Sequence, residues 1–119
     1  MTAKDISNLI SEIEATEPIR LQVKGSKDGE DPRSIGFYNA KKQFVPDIVA
    51  RYANKRDYYA IEKNVTEKDI PALVFKWILF AAEARKTTGA FFLVIPKAKA
   101  GICEALILDK QLDINLIKL

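Results

Sequence analysis

The chain of 119 residues contains no histidine. That removes imidazole metal ligands, histidine general bases and the Ser-His or Cys-His pairs that activate nucleophiles. Any chemistry falls to carboxylates, lysines, hydroxyls or backbone groups. Cysteine is almost missing as well. Cys103 stands alone, so no internal disulfide can form, and a reducing, cytoplasmic setting is expected. The glycines, Gly25, Gly29, Gly36, Gly89 and Gly101, are scattered. Their spacing fits neither a phosphate loop nor a dinucleotide fingerprint, and no zinc pattern is present. No apolar run reaches membrane-spanning length and the first residues form no apolar signal core, so no membrane partner is expected. Charge of one sign is not concentrated either. The 19 basic and 16 acidic residues leave a formal charge of +3. That is compatible with a polyanion partner but is not the dense basic stripe of a dedicated DNA binder.

What is present suits one folded domain over residues 1–119. Hydrophobic residues make up 48% of the chain, enough to build a core without staples. "TAKDISNLISEIEA" reads as a helix, because Ile6, Leu9, Ile10 and Ile13 fall on one face. Thr2 with Asp5 has the form of a capping box, and Pro18 ends the helix. "IRLQVK" alternates Ile19, Leu21 and Val23 with Arg20, Gln22 and Lys24, the pattern of a half-buried strand. "GSKDGEDPR" is a loop. "SIGFYN" and "FVPDIVARY", separated by "AKKQ", read as two antiparallel strands. After the turn "ANKRD", "YYAIEKN" reads as a third strand of this meander.

"TEKDIPALVFKWILFAAEARKTTG" is a helix. Ile70, Leu73, Val74, Trp77, Ala81 and Ala84 form its core stripe, Thr66 and Asp69 stand at its start, and Gly89 marks its end. Phe75, Ile78, Leu79 and Phe80 make it apolar beyond that stripe. The helix is therefore either covered on two sides or joined to another subunit, and a homodimer is expected. "AFFLVIP" is a continuous apolar run, as in a strand buried on both faces. "AKAGICEALILDKQL" reads as a helix and "DINLIKL" as a last strand. The sum is an α/β fold with a mixed central sheet flanked by helices in three layers, in the order α-β-β-β-β-α-β-α-β.

Pro46-Asp47 opens the second of the strands leading into the hairpin, and Glu62-Lys63 closes the last. This order, with the acidic motif at this place, resembles the PD-(D/E)XK nuclease superfamily, the restriction-endonuclease-like fold. The likeness covers about residues 35–96 by motif and the ends by element order. The resemblance implies a phosphodiester hydrolase that uses Mg²⁺ or Mn²⁺, with DNA or RNA as partner. Asp47 and Glu62 would be the metal ligands, with a lysine beside them to orient water or bind phosphate. Lys63 is the first candidate for that lysine and Lys76, on the following helix, the second. Members of the family also carry migrated acidic residues, for which Glu12 and Glu14 on the first helix are the candidates.

The family pattern places Glu and Lys two residues apart, so that both lie on one strand face. Here Glu62 and Lys63 are adjacent, and on a regular strand they point to opposite faces. If Lys63 takes the lysine position, Ile61 takes the acidic one. If Glu62 takes the lysine position, Ala60 does. Only a bulge would unite them. The reading that follows is a protein of nuclease ancestry with an incomplete metal site, acting as a binding or assembly module. The alternative is an active nuclease using Asp47 and Glu62 with Lys63 or Lys76. A plainer account of the same residues makes Pro-Asp a turn dipeptide and Glu62-Lys63 a solvated strand end.

Overall fold

The computed structural model describes residues 1–26, 31–36 and 43–119. The capping box at the first helix, α1 (Ala3–Ala15), is formed in both directions. The backbone N–H of Thr2 donates to Asp5 Oδ2 at 2.8 Å, and that of Asp5 to Thr2 Oγ1 at 3.1 Å. Two orphan donors of the first turn are thereby satisfied. Leu9 and Ile13, on the predicted stripe, are the buried residues of α1.

Among the described residues five strands follow the chain in space as they do in sequence. They are β1 (Arg20–Val23), β2 (Ile48–Arg51), β3 (Arg56–Ile61), β4 (Phe91–Ile95) and β5 (Asn115–Lys118), in the sheet order β1-β2-β3-β4-β5. The first two pairings are antiparallel and the last two parallel. The parallel links need crossovers, and two helices supply them: α2 (Ile70–Arg85) between β3 and β4, and α3 (Ala100–Asp109) between β4 and β5. A 3₁₀ turn precedes each, Glu67–Asp69 and Lys97–Lys99. The sheet is therefore mixed and open, and the fold is α/β as expected.

Strand alternation sorts the apolar residues into two cores. Val49, Tyr58, Ala60, Phe91, Leu93 and Ile95 pack with Val74, Trp77, Phe80 and Ala84 of α2 and Cys103 of α3. Ile48, Ala50, Tyr59 and Val94 pack with Leu9 and Ile13 of α1. So α1 covers one face of the sheet, and α2 with α3 the other. The run "AFFLVIP" reads as doubly covered for this reason: β4 contributes to both cores and pairs on both edges. Tyr59 and Phe92 stack across β3 and β4 on the α1 side, with ring centroids 4.7 Å apart.

The order differs from expectation at one place. Among the described residues three strands, not four, precede α2. Of "SIGFYN", Ile35 makes an isolated antiparallel bridge to Phe44. Residues 37–42, including all of "AKKQ" but Gln43, lie outside the described residues, as do residues 27–30 of the loop after β1. Among the described residues no helix is long and apolar enough to cross a membrane. The surplus of apolar residues on α2 is partly accounted for within the chain. Leu79 and Phe80 are buried, whereas Phe75 and Ile78 remain 46% exposed.

Candidate functional site

Asp47 sits one residue before β2, directly after the fully buried Pro46. Here the β2–β3 ladder ends, which leaves the Ile61 N–H without a strand partner on that side. The Asp47 side chain supplies one: Oδ2 accepts from the Ile61 N–H at 2.7 Å. The Asp47 backbone is also held, with its N–H donating to Tyr59 O at 3.0 Å and its carbonyl accepting from the Lys24 N–H at 2.8 Å. The residue therefore caps the end of the hairpin as well as presenting a carboxylate. Burial pushes the pKa of that carboxyl up. The Ile61 hydrogen bond and the Lys24 and Lys76 charges act against this, and the neighbouring Glu62 charge adds to it.

Glu62 lies just beyond β3, and only 8% of it is exposed. Its Oε2 takes two partners from one turn of α2. The Trp77 indole N–H donates at 2.9 Å, and the Lys76 ammonium lies 2.6 Å away. Trp77 is fully buried, so its N–H has no recourse to water and needs this acceptor. Lys76 retains about a fifth of its side-chain surface. Burying a carboxylate here is tolerable because a cation and a neutral donor converge on it.

The expected residues therefore fall into two groups. Asp47, Glu62 and Lys76 are brought together at the end of the β2–β3 hairpin that faces α2. Lys63 and Glu12 are not brought in. Lys63 is exposed, next to a buried Glu62, as adjacent residues at a strand end alternate. Glu12 is exposed on α1, which packs on the opposite face of the sheet from Trp77. Glu14 is exposed on the same helix. Cys103 is a buried thiol of the α2-side core. Burial, and next the Glu62 charge, push its pKa up, which makes it an inert packing group.

A divalent ion is the group such an acidic pair would hold, and the donor set falls short of it. Two carboxylates are present, and the Glu62 oxygen nearest α2 is already shared between an ammonium and an indole N–H. Among the described residues no group of three or more Asp, Glu, His or Cys side chains is placed to hold a metal ion. Sequence reasoning named Trp77 as core and missed its second task. The signal available was only that an indole N–H in a buried helix stripe must find an acceptor. No protein-family model, curated protein or solved structure matches the chain.

The raised pKa of Asp47 has a consequence for stability. A carboxyl whose pKa is higher in the folded state binds its proton more tightly there than in the unfolded chain. Folding is then favoured most in acid. The benefit is lost as pH rises from the ordinary aspartate value near ~3.9 through the raised one. Asparagine has no such charge, and its Oδ1 can still accept from the Ile61 N–H. Asp47→Asn is expected to match wild type in urea unfolding near pH 3 and to be equally or more stable at pH 7. A variant clearly weaker at pH 7 would mean that the charge of Asp47 supports the fold.

Proposed function

We propose that this chain is a domain of nuclease ancestry, with a restriction-endonuclease-like arrangement and an incomplete metal site, that works as a binding or assembly module. The observation that carries the reading is the state of Glu62. One oxygen of its carboxylate, Oε2, is engaged internally, with Lys76 at 2.6 Å and the Trp77 indole at 2.9 Å. A catalytic carboxylate oxygen must be open to a metal or a water, and Oε2 instead anchors α2 to the end of β3. Asp47 likewise gives one oxygen to the Ile61 N–H. The antiparallel β1-β2-β3 meander followed by a parallel β4 supports the ancestry, and fold alone does not carry activity. The assembly surface of this reading is the face of α2 with Phe75 and Ile78, which suits a second copy of the chain.

The test is cleavage of single- and double-stranded DNA and of RNA in Mn²⁺, with Asp47→Ala alongside. No cutting above background by either protein is expected. Robust cutting that Asp47→Ala abolishes would replace this reading with an active Mg²⁺- or Mn²⁺-dependent nuclease built on Asp47, Glu62 and Lys76.

A further inference from the structure

A second concentration of charge lies at the other end of the same hairpin. The register sets Arg20 of β1 opposite Arg51 of β2, and Arg51 opposite Arg56 of β3. Three arginines thus form one cross-strand row, two residues along from the row that holds Val49 and Tyr58, and so on the same face of the sheet. Like charges directly opposite each other weaken a sheet. The chain nevertheless brings up a fourth cation. Arg33 joins the three as a wall of a cleft of about 210 Å³, with Tyr58 also lining it and Glu83 as the one carboxylate among the described residues that line it. Glu83 is itself paired with Lys86 at 2.9 Å.

Two details make this cleft more than a charged patch. Among the described residues, the Nε of Arg51 is the one buried side-chain nitrogen or oxygen without a hydrogen-bond partner. A buried guanidinium N–H without an acceptor is costly, and native folds keep few of them. Tyr58 is the other detail. Burial pushes its phenol pKa up, and the neighbouring Arg56 side chain acts against this. The hydroxyl thus stays protonated, with its own O–H available to donate. Guanidinium groups are the donors best shaped for planar, bidentate contact with oxyanions.

We propose that this cleft binds a small phosphoryl oxyanion, of the size of phosphate or pyrophosphate. Arg51 is the central donor, and Arg20, Arg33, Arg56 and the Tyr58 hydroxyl surround the anion. Among the described residues, Arg20, Arg33, Arg51 and Arg56 line one recess. A nucleic-acid strand needs a stripe of contacts for its evenly spaced phosphates, whereas a free or terminal phosphoryl group needs one enclosed point. The proposal is independent of how the Asp47–Glu62 site is read, because it rests on residues at the opposite end of the hairpin.

Calorimetric titration at low ionic strength tests it, with inorganic phosphate, pyrophosphate, a nucleoside diphosphate and the bare nucleoside as probes. Saturable binding of one pyrophosphate per chain is expected. Arg51→Met should weaken it by about ten-fold or more, as for loss of a charged hydrogen bond, and Arg33→Gln should weaken it too. Lys110→Gln, an exposed charge away from the cleft, should leave it unchanged. Without ligand, Arg51→Met should keep or raise the thermal midpoint, since it removes both a like-charge contact and an orphan donor. That separates loss of the site from loss of the fold. A nucleoside diphosphate binding as well as pyrophosphate, with the nucleoside silent, would identify an anchored phosphoryl group; pyrophosphate alone would identify a free one. Three results overturn the proposal: no binding at millimolar pyrophosphate, equal binding by Arg51→Met, or tighter binding of an oligonucleotide lacking terminal phosphates through the same arginines.

Discussion

Replacing Gly89 by alanine is expected to destabilise the protein by about 3–5 kcal/mol or to prevent folding, far more than one methyl group ordinarily does. A Cβ at this position would lie 1.9 Å from the Arg56 carbonyl oxygen and 2.6 Å from its carbon. Both are backbone atoms at the start of β3, so no side chain can swing aside. The turn cannot move away cheaply either. The Arg56 N–H donates to Thr87 Oγ1 at 2.9 Å, the Ala90 N–H donates to Asp57 Oδ1 at 2.9 Å, and the Tyr58 N–H donates to Ala90 O at 3.0 Å. These bonds fix the α2–β4 turn against β3 on both sides of Gly89. Relief of the clash requires breaking several of them in a half-buried place. Gly101 is the internal control. Nothing lies within 4 Å of a Cβ there, and it is the second residue of α3, so Gly101→Ala should be neutral or stabilise by up to about 0.5 kcal/mol through helix propensity. Urea unfolding of the two variants measures both effects. A Gly89→Ala protein as stable as wild type would mean that the turn stands off β3.

The second large effect concerns the buried acid. Glu62→Ala leaves the Lys76 ammonium, largely withdrawn from water, and the fully buried Trp77 indole without an acceptor. Breaking one side of a buried charged pair typically costs about 3–5 kcal/mol. The loss should depend on the partner. In the double variant Glu62→Ala with Lys76→Met the stranded charge is gone, and part of the stability should return. The two substitutions would then be non-additive, as expected of residues in contact. Glu62→Gln should fall between, because its amide oxygen still accepts from the indole. Unfolding free energies of the four proteins in the cycle give the coupling directly. Strict additivity would show that Lys76 and Glu62 act independently, and would remove the main support for an internal role of Glu62.

Much of the fold follows from patterns with a single physical reading. The 3.6-residue spacing of Leu9 and Ile13 on α1, and of Val74, Trp77 and Ala84 on α2, can satisfy only a helix against a core. The unbroken Phe91–Ile95 run reads as a strand covered twice. Pro46 cannot donate to a ladder, which puts it at a strand start, a bulge or an edge, and it lies two residues before β2. The α2 surplus was ambiguous. Leu79 and Phe80 turned out to be buried by the same chain, whereas Phe75 and Ile78 are not, and periodicity alone cannot say which neighbour arrives.

The sites were less legible, because they depend on pairing between strands. Asp47 and Glu62 stood out as acids at strand ends, and their distance apart in sequence hid the backbone N–H that Asp47 caps. Lys76 was visible as a candidate, but its ion pair with Glu62 depends on how α2 crosses the sheet. The arginine row was hidden altogether. Arg20 and Gln22 looked like the solvent face of a half-buried strand. Register sets Arg20 opposite Arg51 and Gln22 opposite Val49, and Gln22 is in fact buried. A shift of one residue would have sent all of them to the other face.

On the proposed function, the Asp47–Glu62 pair is engaged internally and forms no metal site. Titration of Mn²⁺ at neutral pH, followed by the loss of its free-ion paramagnetic resonance signal, tests this most directly. The expected result for wild type is no saturable binding at submillimolar Mn²⁺, with the same trace from Asp47→Ala. One tightly bound Mn²⁺ per chain, lost in Asp47→Ala, would contradict the claim and return the pair to the role of metal ligands.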